Sequence, residues 1–254
     1  MKTPIIIDTD VGTDVDDLFA LTYAIRNPYC DVKSISTVIG DTEIRAKIAL
    51  KLEKILRVDI PVITGKSGSC DCVSKYWTGI EENVLNLRER RAELPNTRFR
   101  KAKVGTKLVC LGPLTNISYQ LKCTETLNDV SDVYVMGLSD KSHNFKADLE
   151  SMRNFFNQPW NIYQITKEVS EKVCFDRSEL MDFKGNELGD FLYDSAMNWL
   201  DYTERDKCCM YDVLTVSAAF DDYVKFERVG RKRYMSVDVD LQLKDKLIEC
   251  IRFG

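Results

Sequence analysis

Between Asp8 and Asp17 the chain reads Asp-Thr-Asp-Val-Gly-Thr-Asp-Val-Asp-Asp, five carboxylates in ten residues. Thr13 or Asp14 can cap a following helix by accepting its free N–H groups, and acids favour a helix N-terminus in general. Capping uses one or two carboxylates, not five. Like charges this close either hold protons at raised pKa values or share a cation. An all-oxygen donor set suits a hard divalent ion, calcium or magnesium. Other chemistry is poorly provided for. His143 is the only histidine, which leaves little for histidine metal sites or Ser-His and Cys-His nucleophiles. Nine scattered cysteines read as reduced cytosolic thiols, several of them small core residues. A four-thiolate zinc site from Cys70-Asp71-Cys72 and Cys208-Cys209 has the wrong pair spacing.

The acidic run follows a short aliphatic strand, Pro4 to Asp8, and opens a helix over Asp16 to Arg26 whose apolar residues recur at helical spacing. Strands are then expected at Val32–Ile39, Ile60–Thr64, Lys107–Leu111, Val130–Met136 and Lys172–Phe175, with helices at Glu43–Leu56, from Asn116 to Leu121, and at Pro159–Ile165. Val224–Val229 and Lys232–Val239 read as an edge hairpin, and Leu243–Arg252 as a closing helix. The alternation predicts an α/β fold, an open and mostly parallel twisted sheet with helices on both faces and a small C-terminal hairpin. In such sheets ligands sit outside the carboxyl ends of the strands, so the residues after Ile7, Val38, Thr64, Val109 and Val135 are the ones to inspect.

The 254 residues, 44% of them hydrophobic and 10% aromatic, suffice for one domain over 1–254 and exclude disorder. No apolar run approaches a membrane span, and the N-terminal aliphatic stretch is too short for a signal peptide, so a cytoplasmic protein is expected. A net charge of −4 argues against binding a nucleic-acid polymer. The basic segment from Arg88 to Lys103 reads as a solvated helix end and loop.

Three known schemes use an acidic cluster of this kind. An EF-hand loop needs a preceding helix and an acid at the twelfth position, which here is Phe19. A phosphatase of the haloacid-dehalogenase type, with Asp8 as nucleophile, wants Thr or Val where this chain has Gly12. The third scheme fits. Asp8 to Asp17 followed by Leu18-Phe19-Ala20-Leu21 resembles the signature of the inosine-uridine-type nucleoside hydrolases. The likeness continues in order: Ser36-Thr37-Val38-Ile39-Gly40-Asp41, Pro61 to Gly65, Leu111-Gly112-Pro113-Leu114-Thr115-Asn116, Val135-Met136-Gly137, and Tyr211-Asp212-Val213-Leu214 where the family usually has His-Asp-Pro-Leu.

The resemblance implies hydrolysis of the N-glycosidic bond of a ribonucleoside, with calcium holding the attacking water. Carried over, Asp10, Asp17, Asp212 and the Leu111 carbonyl would ligate calcium, and Asp10 would be the general base. Asp16 and Asp212 would bind the ribose 2′- and 3′-hydroxyls, and Asp41 lies in the second-strand turn where many members have Asn. Asp212 can instead be a helix N-cap ahead of Val213 to Phe220. Met152-Arg153-Asn154 replaces the family's Glu-Phe-Asn at the 5′ side, and an arginine there would suit a 5′-phosphate. Asn144, next to His143, is a further 5′-side contact, Tyr211 takes the place of a histidine, and Trp77 either stacks on the base or packs as loop core. The resemblance also implies a homodimer or homotetramer acting on a small nucleoside, a modified one such as queuosine, or a nucleoside 5′-monophosphate. The alternatives are a catalytically silent nucleoside-binding relative and the Asp8 phosphatase.

Overall fold

Aliphatic side chains on both faces of a strand demand cover on both sides, and β1 (Thr3–Thr9) shows the result. Ile5 and Ile7 enter one core while Ile6 enters the opposite one. The computed structural model describes residues 2–68, 81–137 and 142–253. Around β1 runs an eight-stranded sheet in the order β3-β2-β1-β4-β5-β6-β10-β9. Its members are β2 (Cys30–Thr37), β3 (Val62–Thr64), β4 (Lys107–Cys110), β5 (Asp132–Met136), β6 (Asn161–Ile165), β9 (Val224–Gly230) and β10 (Arg233–Val239). All neighbours pair in parallel except the outermost hairpin, β10 with β9.

The chain moves outward from β1 through β2 to β3, then returns to β1's other side and moves outward again from β4. The order therefore reverses between β1 and β4. There the connections leave toward opposite sides, which opens a crevice at the carboxyl ends of the two strands. Helices α1 (Asp16–Arg26), α6 (Glu187–Thr203), α7 (Tyr211–Ser217) and α8 (Gln242–Phe253) contribute Phe19, Leu192, Val213 and Leu247 to the larger core. The opposite core takes Ile117 of α3 (Thr115–Cys123), Phe145 of α4 (His143–Ala147) and Phe155 of α5 (Leu149–Phe156). The helix after β2 is α2 (Thr42–Leu56). Among the described residues no helix is long and apolar enough to cross a membrane.

Most expected elements are found within two residues of their predicted ends, and the open parallel sheet with a terminal hairpin is observed. Pro159–Ile165 is the exception. It contains strand β6, not a helix. Ile162 joins one core and Ile165 the other, with Tyr163 packed on the same side as Ile165, and this two-residue alternation suits a strand held between β5 and β10. The helices flanking this strand are the preceding α5 and the short helical turn Lys167–Ser170.

The reduced-thiol expectation also needs correction. A two-stranded ribbon of β7 (Cys174–Asp176) and β8 (Lys207–Cys209) places Cys174 opposite Cys209, and the two form a disulfide. The thiols of Cys30, Cys110, Cys208 and Cys250 are buried, as expected of small core residues. Cys70 and Cys72 lie outside the described residues, and with Cys209 in a disulfide the four-thiolate site loses a ligand.

Candidate active site

The turn after β1 is held from beneath. Asp8 points into the sheet, where its Oδ1 accepts hydrogen bonds from the Ser36 hydroxyl and from Asn116 Nδ2, the latter at 2.7 Å. Asn116 also donates to the Thr37 carbonyl and accepts from the Lys66 amide, so one side chain ties β1, β2 and the segment after β3 together. Asp8 is fully buried and absent from the crevice wall, which removes it as a phosphatase nucleophile. Burial pushes its carboxyl up to about 7, against the opposing pull of the Asn116 and Ser36 hydrogen bonds.

Arg45, at 0% exposure, straps the same turn from α2. Its Nε donates to the Ile39 carbonyl, Nη1 to the carbonyls of Asp10 and Val11, and Nη2 to Thr13 Oγ1. Its place among Ile44, Ile48, Ala49 and Leu52, on the buried side of an amphipathic helix, was the signal for it in the sequence. Gly112 closes the turn from the β4 side: a Cβ there would stand 2.7 Å from Asp10 Oδ1 and 2.9 Å from Val38 Cγ1. Neither Thr13 nor Asp14 caps α1. The N-cap position falls on Val15, with no side-chain bond, and Asp14 instead accepts from the Trp199 indole N–H of α6 at 3.0 Å.

This scaffold aims carboxylates into the crevice between β1 and β4. Asp16 and Asp17 come from the first turn of α1, and Asp212 from the first turn of α7 at the far end of the chain. Each offers a carboxylate oxygen within 4.8 Å of the others, and all three are buried. Asp17 also accepts from the Thr9 hydroxyl, while Asp16 accepts from the Asp212 backbone N–H at 3.1 Å. The N-cap of α7 is Met210, so Asp212 is no cap. Burial, reinforced by neighbouring carboxylates, raises Asp16 to about 8 and holds Asp17 and Asp212 well above the usual carboxylate range. The strain of three crowded acids is relieved either by retained protons or by a divalent cation. The hard oxygen set and its spacing fit calcium or magnesium.

The crevice is a cavity of about 560 Å³. Asp10, Asp14, Asp16, Asp17 and Asp212 make its acidic side. The segments after β4 and β5 contribute Leu111, Met136, Gly137, Ser142, His143 and Asn144. Lys167, Glu168, Arg205 and Tyr211 form the remaining wall. Asn144 Nδ2 donates to the Leu111 carbonyl, which keeps a second lone pair for a ligand. Tyr211 leans on Glu171 at 3.5 Å, and burial pushes its phenol up to about 12. Burial lowers His143 below the ordinary imidazole value, which favours the neutral ring.

Several expected contacts are not brought here. Asp41 is the N-cap of α2, accepting from the Glu43 and Ile44 amides, and does not line the cavity. Met152 packs against the second core, Arg153 is exposed, and Asn154 donates to Ser118 of α3. The helix carrying these three covers the opposite face of the sheet, so none of them lines the cavity. Trp77 lies outside the described residues. Lys167, Glu168 and Arg205 carried no sequence signal, because only the packing of β6 and α6 brings them to the crevice.

Comparison with known proteins agrees with this geometry. The profile of the inosine-uridine preferring nucleoside hydrolase family matches residues 5–248. A non-specific ribonucleoside hydrolase, RihC, of Klebsiella pneumoniae is 28% identical over 165 residues, covering 59% of this chain and 54% of that protein. The Escherichia coli O127:H6 counterpart is 29% identical over 196 residues, covering 68% and 64%. The matched stretch thus spans between half and two thirds of these relatives' own length. Among solved structures, a purine-preferring ribonucleoside hydrolase from Gardnerella vaginalis superposes with a TM-score of 0.76 at 19% identity, covering 98% of each chain, a likeness of fold.

Proposed function

The chain belongs to the inosine-uridine preferring nucleoside hydrolase family, and on that premise we propose that it hydrolyses the N-glycosidic bond of a ribonucleoside, releasing the base and ribose. The observation that carries the reading is the trio Asp16, Asp17 and Asp212, buried and within 4.8 Å at the crevice where the sheet order reverses. Asp17 and Asp212, with Asp10 and the Leu111 carbonyl beside them on the cavity wall, would hold a calcium ion, and Asp16 stands close enough to share it. The chemistry such an ion supplies when bound is Lewis-acid polarisation of a water and of sugar hydroxyls.

The residues divide the remaining work. Asp10, with its backbone carbonyl strapped by Arg45 and its carboxylate against Gly112, takes the proton from the attacking water. Asp16 and Asp212 accept hydrogen bonds from the 2′- and 3′-hydroxyls, and the acidic side of the cavity favours the positive charge that develops on the ribosyl ring. Deoxyribonucleosides lose these partners and are disfavoured by roughly 100-fold or more. Asn144 and His143 remain to face the rest of the substrate, since Arg153 points elsewhere. The homo-oligomer implied by the resemblance and the cytoplasmic location expected from the absence of a signal-peptide pattern belong to this proposal.

The test is a base-release screen with calcium over nucleosides, modified-base nucleosides such as queuosine, and 5′-monophosphates. Asp10→Asn is expected to lower turnover about 1,000-fold or more, as loss of a general base and cation ligand. Release of no base from any compound would overturn the proposal. A second reading, nucleoside binding without turnover, is favoured by Tyr211: a phenol pushed up to about 12 is a poor acid for a departing base. Thermal stabilisation by nucleosides with no base release would select it.

A further inference from the structure

The cavity is not acidic all round. Its wall also carries two cations, Lys167 in the helical turn Lys167–Ser170 that follows β6, and Arg205 just beyond α6, whose charge acts on Asp14. The Arg205 guanidinium lies 5.2 Å from the centroid of the Trp199 ring, and Trp199 is itself anchored by its N–H to Asp14. This cation–π contact helps to hold the guanidinium at the cavity wall, and its fork of N–H donors is the group with which arginine reads a carboxylate or phosphate. Lys167 pairs with Glu171 at 3.5 Å, with both side chains largely exposed, a contact too weak and solvated to hold its ammonium against a better partner. Glu168, next to Lys167 in sequence, also lines the cavity, and Asp14 is an acid on which the Arg205 charge acts. A neutral nucleoside gives these two cations nothing to neutralise.

We propose that Lys167 and Arg205 form an anion-recognising rim, so that this site takes ribosyl compounds carrying a negative group away from the scissile bond: a phosphate on the sugar or a carboxylate on the base. The inference rests on the ribonucleoside hydrolase reading for the ribosyl half of the ligand. The competing explanation is that the two cations only offset the acidity of the crevice. Offsetting would act on every ligand alike, whereas anion contact discriminates between ligands that differ in one charged group.

That difference sets the experiment. Calorimetric titration of the calcium-loaded protein at millimolar ligand compares ribose 5-phosphate with ribose, and orotate with uracil. At least one anion is expected to bind about 10-fold or more tightly than its neutral partner, as a charge-assisted contact would provide. The successful pair identifies the source of the charge. In the Arg205→Ala/Lys167→Ala double variant that ratio is expected to fall close to one, with a matching rise in KM for the anionic class of substrate. If neither anion exceeds its neutral partner, or the preference survives in the double variant, the rim does not read anions. Base release across the nucleoside and nucleotide screen in the same preparation separates the two claims. Anion preference without turnover of any nucleoside removes the hydrolase reading and keeps the rim; turnover without anion preference does the opposite.

Discussion

Burial of an acid is costly unless a proton or a cation goes with it, and that cost can be followed residue by residue. With Asp16 raised to about 8 and Asp17 and Asp212 higher than normal, the cation-free site holds protons near neutrality. A divalent ion must displace them, so its affinity increases as pH rises through neutrality. Calcium titrations at pH 6 and pH 8 in buffers of different ionisation enthalpy are expected to show tighter binding and less proton release at the higher pH; equal affinities would contradict the assignment. Glu53 gives a second test away from the crevice. It is buried on α2, and burial followed by the Asp59 charge raises it from 4.5 to about 7. A raised carboxylate is neutral when folded but ionised when unfolded between these two values. Folding stability therefore falls as pH rises from 4.5 to about 7, by roughly 3 kcal/mol from this group alone. Glu53→Gln is expected to flatten that part of the stability–pH curve in urea melts.

At the scale of elements, the opening turn is shaped mostly by groups outside it. Arg45 of α2 satisfies the carbonyls of Ile39, Asp10 and Val11. Arg45→Met leaves all three without this donor in a buried place, at a cost of about 3 kcal/mol. It also frees the Asp10 backbone, so calcium affinity is expected to drop along with the melting temperature. Gly112→Ala is a more local change: its Cβ would meet Asp10 Oδ1 at 2.7 Å, moving the proposed base. Turnover is expected to drop about 100-fold, since a displacement on the order of 1 Å in reacting geometry costs that much. A folded variant with wild-type turnover would contradict the role given to Asp10.

For the whole molecule, the decisive feature is that Asp16 and Asp17 meet Asp212 at one crevice although the chain between them builds most of the sheet. The ribbon carrying Cys209 leads directly into α7 and Asp212, and its disulfide to Cys174 closes a loop of 35 residues. In the chain-entropy account such a crosslink adds about 4 kcal/mol. Cys174→Ser is expected to lower the melting temperature and to remove its sensitivity to dithiol reductants. A melting temperature that does not respond to reductant in the parent protein would show that the crosslink adds nothing.

Much of this was written in the order of residues. The aliphatic run of β1, the spacing of α1, the acidic turn and the Gly-Pro turn after β4 are local patterns, and each specifies its element because a strand or helix depends on neighbours two to four positions away. The family resemblance, carried by short local motifs, is what pointed to Asp10, Asp17 and Asp212. Local pattern misled at Pro159–Ile165, whose strand form depends on β5 and β10 on either side, and at Met152-Arg153-Asn154, which a helix carries to the other face of the sheet. Only the tertiary structure decided that Asp16 joins Asp17 and Asp212, that Arg45 holds the turn, that Cys174 faces Cys209, and that Lys167 and Arg205 line the same cavity as the acids. These are pairings between distant parts of the chain, set by how the sheet is ordered and how helices pack on it, and no short stretch of residues contains that information.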